Sequence, residues 1–227
     1  MHVYDLDDGA RLVKAARNSI ELFISNPHFQ KDVVKKSVED LDRSHGIFVT
    51  LLHYPTRELR GCIGFPRPVG AIGELVVDAA VAAAFEDSRF VSVSRHELDD
   101  LIVEVAVLSD MTKVSGGESK RLNEIKIGRD GLMIEYGLRM GLLLPSMAVE
   151  NVWNKKRFME EACEKAELPR NYWMQPNVKL YRFESQLFVE ETPKGNVVEA
   201  KYGETGEKQM DKPKARKRRA KAPRRRK

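Results

Sequence analysis

Apolar residues first recur at helical spacing near the start of the chain. Val13, Ala16, Ile20 and Phe23 fall on one face, which predicts a helix capped at Asp7 or Asp8 and stopped at Asn26-Pro27. The pattern then changes to a continuous β-branched run, Gly46 to His53 (GIFVTLLH). Pro55 to Glu58 turns the chain into a second extended run, Leu59 to Gly64, and the pair predicts a hairpin. Leu75 to Phe85 is alanine-rich and apolar on nearly every side, as a buried helix is. Ser94 with Glu97 forms a capping box, and Ile102 to Ser109 is the next strand.

The second half follows a similar order. Ile125-Lys126-Ile127 and Leu132-Met133-Ile134 flank Gly128-Arg129-Asp130-Gly131, a hairpin signal through Asp-Gly. Leu142 to Leu144 is a strand ended by Pro145. Phe158, Met159, Ala162, Cys163 and Ala166 share a helix face that ends before Pro169, and Leu180–Phe183 and Phe188-Val189 close the fold as short strands. Hairpin, helix and strand therefore recur over 46–109 and 125–183, which predicts an internal duplication. The mixed order implies an α+β domain over 1–198, with a mainly antiparallel curved sheet flanked by helices.

Charge divides the chain where the periodicity stops. The whole of its 227 residues carries a net +5, but Lys201 to Lys227 alone holds 13 basic and three acidic residues. Residues 199–227 accordingly read as a disordered basic tail, and Lys214, Arg216, Lys217, Arg218, Arg219, Arg224, Arg225 and Arg226 as its nucleic-acid contacts through counterion release. The alternative is a solubilising appendage without a defined partner. The body is mildly acidic. Neither an apolar run of membrane-spanning length nor a secretory leader is visible, so no membrane partner is expected. Two cysteines are too few for a disulfide framework, and a cytoplasmic location is the simplest setting. Histidines and cysteines lack metal-ligand spacing, and nucleotide-binding glycine loops are absent, so no cofactor or metal site is evident.

Candidate chemistry concentrates in Leu59-Arg60-Gly61-Cys62-Ile63-Gly64. Strand alternation puts Leu59 and Ile63 towards the core and Arg60 and Cys62 towards a cleft. A guanidinium beside a thiol favours thiolate, which makes Cys62 a candidate nucleophile with His45 or His53 as base. A free cysteine more often simply fills a tight strand. Arg60 suits an anionic ligand, or else a buried ion pair with Glu104, which interrupts an otherwise apolar strand. Asp87 and Arg89 follow the buried helix and form either a polar cleft wall or a local cap and turn. Arg60, Glu104, Asp87, Arg89 and His45 are thus the expected ligand-binding set.

These residues resemble the AMMECR-like domain family. The likeness rests on Leu59 to Gly64 and also on Gly46 to Leu51, Asp87 to Phe90, Val103 to Leu108, Ile127 to Leu132, Gly141 to Pro145 and Trp153, in order from about Asp7 to Glu190. It implies an α+β fold of two related β-α units. It implies no settled reaction. Association with Memo-type and radical-SAM proteins points to a small-molecule or RNA modification pathway, with a non-catalytic adaptor as the alternative. The chain has Ser88, Ala106 and Ser146 where the family usually has Pro, Ser and Gln.

Overall fold

The computed structural model describes residues 3–26, 28, 30–202 and 208–211. Helix α1 (Leu6–Ser25) is capped by Asp5, whose carboxylate accepts from Asp8 N–H at 2.8 Å; Asp7 and Asp8 lie inside the first turn, not at the cap. Its apolar stripe, including Leu12, Val13, Ala16 and Ile20, is buried. A short α2 (Asp32–Lys35) leads to β1 (Gly46–His53) and β2 (Leu59–Phe65), the expected hairpin. Helix α3 (Ile72–Phe85) is buried along most of its length. The α4 turn (Arg95–Leu98) carries the Ser94–Glu97 capping box. Strand β3 (Leu101–Leu108) is buried throughout.

The second half contains β4 (Thr112–Val114), α5 (Glu118–Glu124), β5 (Gly131–Tyr136), β6 (Arg139–Leu143), α6 (Pro145–Glu150), α7 (Lys155–Lys165) and β7 (Lys179–Phe183). The hairpin here joins β5 to β6 and not 125–127 to 132–134. Asp130 explains the difference. Its fully buried carboxylate accepts from Lys126 N–H and the Arg129 guanidinium, which folds 126–130 into a knot that cannot pair as a strand. Strands β8 (Ser185–Glu190), β9 (Val197–Tyr202) and β10 (Lys208–Asp211) complete the chain.

Two antiparallel sheets result, ordered β10-β9-β8-β3-β1-β2 and β4-β7-β5-β6. In both halves the first strand of the hairpin is central, with β2-β1-β3 matching β6-β5-β7. Both helices that follow the hairpins press on a glycine of its second strand. A Cβ on Gly61 would lie 2.2 Å from the Ala83 carbonyl of α3, and one on Gly141 would lie 2.5 Å from the Ala162 carbonyl of α7. Only glycine admits so close a backbone.

The expected disordered stretch from 199 begins too early. Val198 and Ala200 pack with Leu187 and Val189 on the sheet, and this burial carries the chain on as β9. The tail cations Lys214, Arg216, Lys217, Arg218, Arg219, Arg224, Arg225 and Arg226 lie outside the described residues. Among the described residues no helix is long and apolar enough to cross a membrane.

Gly61→Ala should destabilise the fold by about 1–3 kcal/mol or more, because the added methyl meets backbone. Gly117→Ala, where a Cβ meets nothing within 4 Å, serves as the control. Denaturant unfolding of both variants checks this, and equal midpoints would refute the close-approach argument.

Candidate functional site

The face of β1 opposite the helical core carries Phe48, Thr50 and Leu52. Across the ladders Thr50 stands between Cys62 on β2 and Glu104 on β3. These three side chains form a polar row in the floor of a cavity of about 620 Å³. Phe48, Leu52 and Leu59 flank the row, and Leu142, Leu144 and Met147 of the second half close over it. Arg57, Arg89, Lys165, Ser146 and Glu150 also line the cavity. The site is thus a gap between the two sheets in which apolar side chains sit beside a polar row and further charged groups. A more open hollow of about 590 Å³ lies between α1, α2 and Arg95, away from this chemistry.

Arg60 and Cys62 do not share a face. The β1–β2 register shifts between Leu51 and Leu52, so Gly61 pairs with Leu51 and Leu59 with Leu52. Arg60 is the extra residue of this bulge, and the alternation resets there. Leu59 joins Cys62 on the cavity side, while Arg60 turns away and is buried. Its partner is Glu97, not Glu104. Arg60 Nε and Nη2 donate to the two carboxylate oxygens, the latter at 3.0 Å, and Nη2 donates to the Val91 carbonyl at 2.7 Å. Burial opposes ionisation of Glu97, but the Arg60 hydrogen bonds, the Ser94 N–H and nearby positive charge leave its pKa below the ordinary value. Arg60 is a structural cation outside the cavity.

Asp87 and Arg89 organise the rim instead. Asp87 accepts from Cys62 N–H at 2.9 Å, Arg89 N–H at 3.2 Å, Arg89 Nε at 2.9 Å and Arg89 Nη2 at 2.7 Å. Arg89 Nη2 also donates to the Cys62 carbonyl at 3.3 Å. Its guanidinium lies 5.5 Å from the centre of the Phe90 ring, and that of Arg60 lies 5.7 Å from it. Among the described residues Arg89 donates to Asp87 and the Cys62 carbonyl and to no helical carbonyl. The Arg89 side chain holds the Asp87 carboxyl well below the usual range against the effect of burial, helped by both backbone donors.

The cation near the thiol is therefore Arg89, and it does not produce a thiolate. Burial pushes the Cys62 thiol up. The Thr50 hydroxyl, 3.2 Å from Sγ, and Arg89 pull it down, while Glu104 and Asp87 push it further up. His45 supplies no base. Its ring meets Tyr4 edge-on at 5.8 Å, and it does not line the cavity. His53 is likewise absent from the lining. The cavity thus unites Cys62, Glu104 and Arg89 and leaves Arg60 and His45 outside; Asp87 acts on its rim. Arg57, Glu150 and Lys165 were not distinguished by the sequence; Arg57 falls in the turn from Pro55 to Glu58.

Residues 13–188 match the AMMECR1 family. The chain belongs to that family. It is 41% identical over 202 residues to Protein MJ0810 of Methanocaldococcus jannaschii, a match spanning 88% of this chain and 99% of the relative. It is 42% identical over 195 residues to Protein TK0174 of Thermococcus kodakarensis, spanning 83% and 93%. The fold is similar to the crystal structure of PH0010 from Pyrococcus horikoshii, with TM-score 0.82 and 38% identity over 88% of this chain and all of that one. The family assignment agrees with the α+β architecture of two antiparallel sheets.

Two outcomes follow from the site. The depressed Asp87 value means that its stabilisation is complete above about pH 4, the ordinary carboxylate value, and is lost as pH falls through the folded value. The gap in unfolding temperature between wild type and Asp87→Asn should be constant near neutrality and shrink below about pH 4. A gap independent of pH would remove the ion pair as its cause. In the second test, iodoacetamide should label partly exposed Cys62 before buried Cys163, whose thiol burial pushes up to about 11. Cys62 should still react more slowly than free cysteine at neutral pH and accelerate as pH rises. Fast neutral labelling would show an activated thiol.

Proposed function

We propose that the cavity is a binding site for a small polar or anionic ligand with an apolar body. One observation carries this reading: a polar row of Cys62, Thr50 and Glu104 lies among Phe48, Leu52, Leu59, Leu142, Leu144 and Met147 in the gap between the sheets, with Arg89 and other charged groups around it. Such a mixture suits small-molecule recognition, in which apolar walls supply burial and a few polar groups fix orientation. Among the described residues fourteen, from both halves, line the gap, so the ligand would touch β1, β2, β3, β6, α6 and α7 together.

Binding is better supported than nucleophilic catalysis. Among the described residues no histidine lines the cavity beside Cys62, and burial raises the thiol's pKa. The family's association with Memo-type and radical-SAM proteins supports placing the ligand in a small-molecule or RNA modification pathway. The raised thiol also favours the second reading, a non-catalytic adaptor that takes a partner's peptide in the same gap while its basic tail holds nucleic acid.

Protection of the thiol tests the small-ligand reading. Anilinonaphthalene sulfonate, which joins an anion to apolar rings, should slow alkylation of Cys62 in the full-length protein and leave Cys163 unchanged. Unchanged Cys62 labelling at saturating probe would overturn the reading.

A further inference from the structure

We propose that Arg57 is the anion receptor of this cavity. The ligand is then an amphiphile whose oxyanion lies at the hairpin end and whose apolar body crosses Leu52, Leu59 and Leu144. The inference rests on the small-ligand reading and gives it an orientation.

The first argument is charge. Among the described residues three cations line the cavity: Arg57, Arg89 and Lys165. Arg89 is already engaged by the buried carboxylate of Asp87. Arg57 is not engaged. Its Nη2 is buried without a hydrogen-bond partner, and among the described residues its guanidinium enters no ion pair. A buried donor left unmatched is costly, and a ligand oxygen would satisfy it. A guanidinium fork suits carboxylate and phosphate oxygens in particular.

The second argument is the backbone. Arg57 has φ +60°, the left-handed region that glycine and asparagine occupy readily. Val152, Glu167 and Lys194 share that sign of φ, but none lines the cavity, and Lys194 pairs with Glu21 and Asp99. Among the described residues no hydrogen bond or ion pair of the Arg57 guanidinium accounts for an arginine in this conformation. Strain held at a ligand-facing position is a recognised mark of function.

The third argument is the layout of the floor. Arg57 belongs to the turn joining β1 to β2, and the cavity-lining pair nearest that turn is Leu52 with Leu59. Beyond them lies the row Cys62–Thr50–Glu104. That row presents a thiol, a hydroxyl and a carboxylate, and no guanidinium. The negative head is therefore directed to Arg57, and the body passes over the leucines towards Cys62.

The test uses the full chain and anilinonaphthalene sulfonate as a fluorescent reporter, with hexanoate, hexyl phosphate, hexanol and hexylamine as competitors. The two anions should displace the reporter from wild type far better than hexanol or hexylamine, and the order of the two anions identifies carboxylate or phosphate as the preferred head. Arg57→Asn should weaken both anions about 10- to 100-fold, the usual loss of a hydrogen bond to a charged group. Arg57→Lys should retain part of the affinity. The unfolding temperature of Arg57→Asn should not fall, because asparagine takes the left-handed backbone at lower cost. Unchanged anion affinity in the Asn variant overturns the role of Arg57 and leaves the cavity reading intact. A lowered unfolding temperature makes Arg57 structural and overturns the assignment. Failure of all four competitors to displace the reporter from wild type overturns both.

Discussion

The close contact of α3 with β2 is the constraint on which the site depends. A helix backbone lies so near residue 61 that no side chain fits there. That contact fixes the end of α3 beside Cys62, so the residues just after the helix, Asp87 and Arg89, meet the strand. On the opposite face of the strand the gap between the sheets opens, with α6 and α7 of the second half contributing to its lining. The same contact recurs at Gly141 under α7, where it brings the second half's strand and its leucines over the first. One steric rule, applied twice, thus shapes both walls.

Within the gap, charge is distributed unevenly. Glu104 and the thiol occupy the floor, and cations occupy the rim and the hairpin turn. A uniform anion would meet repulsion at the floor, and a uniform cation would meet it at the rim. The arrangement favours molecules whose own charge is polarised. The thiol fits this role as a polarizable, mostly neutral surface, since burial outweighs the nearby guanidinium.

Much of the fold was legible because it follows from periodicity. The stripe of α1, the all-round apolar α3 and the buried run of β3 are each dictated by burial, and the structure has them where the pattern put them. Cys62, Glu104 and Arg89 were legible as polar residues in apolar settings. Three features were not legible, for local reasons. The bulge at Arg60 sits next to Gly61, and strict alternation, carried across that glycine, fails on one side of it. Arg60 found Glu97 because the reset turned it towards α4, a proximity that spacing does not encode. Arg57 is invisible because nothing in its identity announces a left-handed backbone. The family likeness supplied the architecture and left these details open.

The Asp87–Arg89 pair has one more consequence. Strand β2 is the outer strand of its sheet, so its free N–H and C=O groups invite another chain to pair along it. At Cys62 that invitation is withdrawn: the amide hydrogen is taken by Asp87 and the carbonyl by Arg89. Two side chains two residues apart thereby imitate a fragment of a neighbouring strand. The pair ends the sheet, and it makes this margin of the molecule a poor template for intermolecular β-pairing.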